Sequence, residues 1–105
     1  PARRSPLLAG LTLALAVELH LPECRSLKAK RSVLKPVTEG ARRRYNVAVA
    51  ETDHQNTWQR AAIGVAAVSA TPHHAEEVID EVERFIWSFP NVQVLSATRS
   101  WMEID

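Results

Sequence analysis

LTLALAVELHL (residues 11–21) sets Leu11, Leu13, Leu15, Val17, Leu19 and Leu21 on strictly alternate positions. Successive side chains of an extended backbone point to opposite faces, so a period of two specifies a strand with one wholly apolar face. The other face carries Thr12, Ala14, Ala16, Glu18 and His20. A strand patterned this way needs cover on its leucine side, and its second face can meet water, a ligand or a partner.

Downstream, PECR reads as a loop and Ser26 as an N-cap. The next segment, to Arg44, has a helical stripe of Leu27, Leu34, Val37 and Ala41 and ends near Tyr45. Pro36 interrupts its hydrogen bonding and Gly40 weakens it. One kinked helix is expected because the stripe stays in phase, the alternative being two short helices with Pro36 opening the second. NVAVAETD (46–53) is a second strand, HQNTW a turn, and QRAAIGVAAVSA, from Gln59, a third strand, together a hairpin. Thr71 caps a second helix that begins at Pro72, with an expected stripe of Ala75, Val78, Val82, Phe85 and Ile86 or Phe89. Trp87 and Phe89 read as core or helix-end packing. Pro90 and Asn91 end that helix, and a fourth strand covers Val92 to Thr98 or runs further.

Strand, helix, strand, strand, helix, strand favours an α+β ferredoxin-like sandwich. One four-stranded antiparallel sheet, in the order four, one, three, two, carries both helices on one face. Residues 10–105 read as a single domain, and residues 1–9 as a flexible arm.

The chain has 105 residues, 46% hydrophobic and 24% charged, with a net charge of +1. Those values suit one small globular domain and do not indicate a globally basic nucleic-acid binder. The charge is unevenly placed. Eight of the thirteen basic residues lie between Arg25 and Arg44, opposed only by Glu39, whereas residues 72–89 are dominated by acids. The lone cysteine, Cys24, excludes an intrachain disulfide and a cysteine-based zinc site and fits a reducing cytosol. The apolar start mimics a secretory signal, but its strand periodicity argues for cytoplasmic retention, and the run is too short to span a membrane.

Two constellations stand out. Lys28, Lys30, Arg31, Lys35 and Arg42 recur on the first helix, where the amino end would ordinarily attract acids. Together with Trp58 and Arg60 they form the expected RNA- or anion-binding set, combining phosphate contact with a stacking surface. The competing readings are a solvated helix face paired with the acidic second helix, and pairing of Lys28, Lys30 and Arg31 with Glu51 and Asp53 at the polar end of the hairpin. The second constellation is a polar cluster at one end of the sheet: Glu18, His20, Glu51, Asp53, His54 and Gln55. It suggests a hydrogen-bonded hairpin with Arg60 paired to Asp53 or Glu51. An acid–base or metal-assisted centre around His20, Asp53 and His54 is the alternative. No HExxH-like spacing or paired nucleophile occurs, so no catalytic residue, metal or cofactor is assigned. His73 and His74 lie at the other end of the sheet and read as exposed.

ELHLPECRSLKAKRSVLKPV, RRRYNVAVAETDHQNTWQRAAIGVAAVS and EEVIDEVERFI resemble the YlxP-like family of small bacterial proteins of unknown function. Tyr45 stands where Phe is common. The resemblance implies a ferredoxin-like fold and supplies no activity. Family genes often lie beside genes for translation initiation and ribosome maturation, which implies ribosomal RNA or a ribosomal protein as partner. The expected function is non-enzymatic RNA or ribosome binding. The alternatives are a homodimer or larger assembly through the open sheet face, favoured by its small residues, and the acid–base or metal-assisted enzyme.

Overall fold

In the computed structural model, residues 11–103 are described. The arm expected over residues 1–9 lies outside them. The elements are β1 (Leu11–His20), α1 (Leu27–Tyr45), β2 (Ala48–Asp53), β3 (Arg60–Ser69), α2 (Pro72–Trp87) and β4 (Gln93–Glu103). The sheet order is β2-β3-β1-β4, and each neighbouring pair is antiparallel. This is the ferredoxin-like order read from the sequence.

The alternation in β1 is realised as burial. Leu13, Leu15, Val17, Leu19 and Leu21 are each at most 1% exposed, beneath Leu34, Val37 and Ala41 of α1 and Ala75, Ile79, Val82 and Ile86 of α2. Each fully buried aliphatic side chain contributes about 1.5–3 kcal/mol. The stripe of α2 is rotated from the expected one. Ile79 takes the buried place, while Val78, Phe85 and Phe89 are half-buried along its border. Trp87 is not core: it is 60% exposed, one position past Ile86 and therefore about 100° off the stripe.

α1 is one helix with Pro36 inside it. Pro36 is exposed, away from the buried stripe, so its lost hydrogen bond falls on the solvent side. The Ser26 hydroxyl accepts from the Ala29 amide at 3.0 Å, and Asn46 closes the helix in the left-handed region at φ 54°. Thr71 caps α2 in the same manner, accepting from His74 N at 3.3 Å.

Gly40 marks where the helices meet. A Cβ there would lie 2.6 Å from Phe85 Cζ. The Phe85 ring is held edge-to-face by Tyr45 and Phe89, with centroids 5.7 and 5.1 Å away, and the Arg44 guanidinium lies 5.1 Å from its centre. On the uncovered sheet face Ala14, Ala16, Ala48, Ala50, Gly64 and Ala66 line a shallow trough.

Candidate functional site: a cationic helix flank and the sheet end beside it

A helix turns 100° per residue, so Lys28, Arg31, Lys35 and Arg42 share one flank of α1. Lys30 points elsewhere, in phase with Val37 and Ala41, and is 2% exposed. Its Nζ lies 2.7 Å from Glu51 Oε2 and donates to the His54 carbonyl at 2.6 Å. Of the two expectations for Lys30, the external anion contact is therefore corrected and the pairing with Glu51 is the one found: the residue joins α1 to the β2–β3 turn. Leaving that ammonium buried without these partners would be costly, which accounts for its fixed position.

The exposed cations are not neutralised by α2. Among the described residues no carboxylate lies within ion-pair distance of Lys28, Arg31, Lys35 or Arg42. The acids Asp80 and Glu83 of α2 instead bind Arg99 of β4, at 2.8 and 3.0 Å. Burial by itself disfavours the Arg99 charge, but the hydrogen bonds and charges of Asp80 and Glu83 prevail and raise its pKa above the usual value. The sequence did not reveal this pairing, because it depends on how β4 lies beside α2 and not on neighbours close in the chain.

Arg42 spans from α1 to the outer strand of the sheet, where Nη2 donates to the Val49 carbonyl at 2.7 Å. Gln55 Nε2 lies 3.4 Å from the Glu51 carbonyl on the same strand. Between α1 and β2 runs a groove of about 280 Å³. Leu27 and Leu34 form its apolar wall, Glu51 and Gln55 its polar side, and Arg31 and Lys35 its rim. Thr38 also lines it and was not singled out from the sequence, although its position, three residues past Lys35, was the available signal.

The polar cluster divides between the two sides of the sheet. Glu51 pairs opposite buried Ile63 and so faces the helices, whereas Glu18 pairs opposite Ala62 on the uncovered side. Glu18 Oε1 takes Arg60 Nη2 at 2.8 Å and His54 Nε2 at 3.2 Å. Arg60 therefore pairs with Glu18, not with the expected Asp53 or Glu51. The reason is register: Arg60 sits opposite His20, on the same face as Glu18. His54, at φ 61°, links both sides, its ring to Glu18 and its carbonyl to Lys30.

His20, Asp53 and His54 each have a different partner. His20 Nδ1 meets Gln93 Oε1 at 3.0 Å, and Asp53 Oδ1 accepts the His54 amide at 2.7 Å. Trp58 is 51% exposed in the turn. Gln59 Nε2 donates to the Pro22 and Cys24 carbonyls, at 3.4 and 3.3 Å, which ties the start of α1 to the hairpin. The Cys24 thiol is 2% exposed, and burial raises its pKa, with Lys30 lowering it and Glu23 raising it as smaller effects. Among the described residues no group of three or more His, Cys, Asp or Glu side chains could hold a metal ion, and no helix is long and apolar enough to cross a membrane.

Fold and site together define a ferredoxin-like α+β protein with an exposed cationic helix flank. The family model described as "Protein of unknown function (DUF503)" matches residues 12–99, and the chain belongs to that family. It is 38% identical over 84 residues to the uncharacterized protein YlxP of Bacillus subtilis strain 168, covering 80% of this chain and 91% of the relative. Among solved structures it is similar to a de novo designed protein with a ferredoxin fold, with a TM-score of 0.50 and 14% identity over 88% of this chain and 83% of that one. A dimeric ferredoxin-like protein from an uncultured marine organism superposes with a TM-score of 0.48 and 10% identity, over 96% and 92% of the two chains.

Proposed function

We propose that this protein is a non-enzymatic, cytoplasmic RNA-binding protein whose contact surface is the flank of α1 carrying Lys28, Arg31, Lys35 and Arg42, extended by Trp58. Ribosomal RNA is the target class implied by the family's gene neighbourhood. The observation that carries the reading is that, among the described residues, those four cations of one flank have no acidic partner, whereas Lys30, Arg60 and Arg99 are each paired with a carboxylate. Unpaired cations repel one another, and a row of phosphates relieves that repulsion while releasing counterions. Trp58 offers its ring to a base, and such stacking contributes about 1–3 kcal/mol per base. Lys30 and Arg60 act behind this surface by fixing the turn that carries Trp58.

Fluorescence anisotropy with labelled ribosomal RNA fragments tests the reading. Four phosphate contacts to single-stranded RNA predict a log–log salt slope of about −3. Changing Lys28, Arg31, Lys35 and Arg42 to Glu removes binding. Equal affinity of the native and charge-reversed proteins, or no binding in 50 mM salt, sinks it.

A further inference from the structure

Resting on the RNA reading, we infer that the groove between α1 and β2 is a single-nucleotide site that takes one unstacked base, with guanine preferred. Its size is the first reason. About 280 Å³ falls just below the range of pockets for drug-sized ligands, which suits one base rather than a folded segment. Its edge is the second. An extended peptide adding to β2 would need the carbonyls of that edge, but Arg42 already donates to Val49 O and Gln55 approaches Glu51 O. A peptide strand is therefore disfavoured, and a ligand recognised by side chains is favoured.

Its charge pattern is the third reason. Arg31, Lys35 and Arg42 border the groove and suit a phosphate, while Leu27 and Leu34 offer an apolar wall to a flat ring. Within this cationic frame sits one carboxylate. Glu51 Oε2 is buried and held 2.7 Å from Lys30 Nζ, which leaves Oε1, engaged by no donor among the described residues, as the oxygen available to a base. One carboxylate oxygen has two lone pairs and can accept two neighbouring N–H groups together. Of the four RNA bases, guanine alone presents a ring N–H beside an exocyclic amine. Single-stranded RNA can turn such an edge outward, whereas a duplex cannot.

The probes are UUGUU, UUAUU, UUCUU and UUUUU, each single-stranded and within a hairpin stem, titrated against the folded protein. The expected result is about tenfold tighter binding of UUGUU than of the other three strands, and loss of that advantage in the stem. Glu51→Gln abolishes the base preference while keeping the salt slope. Because that change also touches Lys30, Thr38→Trp serves as the second variant: it fills the groove, leaves every charge in place, and lowers single-strand affinity to the stem level. Circular dichroism confirms that each variant is folded. Equal affinity for all four strands, or an unaltered preference in folded Thr38→Trp, overturns the nucleotide site. If charge reversal on α1 still abolishes binding in that case, the RNA reading stands alone. Absence of all RNA binding overturns both.

Discussion

Lys30 shows how one side chain can leave a series that it matches by composition. Its neighbours Lys28 and Arg31 face water, while Lys30 turns inward to Glu51 and the His54 carbonyl. Lys30→Ala strands the Glu51 carboxylate and opens a cavity, so about 3 kcal/mol of stability is expected to go, read from urea denaturation midpoints. Pairing Lys30→Met with Glu51→Gln recovers most of that loss, because the second change removes the uncompensated charge. A double-mutant cycle with no coupling between the two positions rejects the ion pair as the cause. Cys24 gives a pH test at the same scale. Its folded pKa lies above the unfolded value, so the stability it contributes is complete below about pH 8.5 and is lost as pH rises through the folded value. In Cys24→Ala, the part of the alkaline decline in stability due to this group disappears.

At the scale of elements, the two helices illustrate what patterning reveals and what it conceals. The caps at Ser26 and Thr71 and the alternation of β1 depend on neighbours close in sequence, so they were legible. Gly40 was not. Helix propensity alone makes it a weak point that Ala should improve by about 1 kcal/mol. Packing against Phe85 reverses the sign, because the ring is held between Tyr45 and Phe89 and cannot readily swing aside. Gly40→Ala is therefore expected to lower the thermal midpoint, and adding Phe85→Leu to restore it. A higher midpoint for the single variant would rule out close helix contact as the reason for this glycine. The rotated stripe of α2, with Ile79 in place of Val78, had the same cause: both positions fit a helical period, and only the docking angle chooses between them. The candidate site was likewise half legible. Its residue types and shared end of the sheet could be read, but the partners Lys30–Glu51, Arg60–Glu18 and Arg99–Asp80 depend on which face each residue occupies across distant strands.

For the whole molecule, the division of charge matters more than its total. A net charge of +1 conceals an α1 flank left positive and an α2 whose Asp80 and Glu83 are engaged by β4. Arg99→Ala frees both acids and is expected to lower stability by about 1 kcal/mol; on the proposed RNA reading it weakens binding by less than about threefold, since it lies outside the α1 flank. Loss of RNA binding as severe as that of the α1 charge reversal would move the contact surface to the β4 side. The open trough of alanines gives a second whole-molecule test. Ala16→Arg leaves the molar mass from light scattering unchanged if the trough is solvated, and halves it if the trough joins two copies.

The Arg42 and Gln55 contacts on β2 have a consequence for the sheet itself. They leave its two borders unequal, one with carbonyls already answered by side chains and the other, β4, with eleven residues that include neither proline nor lysine. Among the described residues, growth by strand pairing is therefore open on one side only. Two copies joined along β4 would present blunted borders at both ends, so such an assembly would stop at two and could not propagate into a fibre.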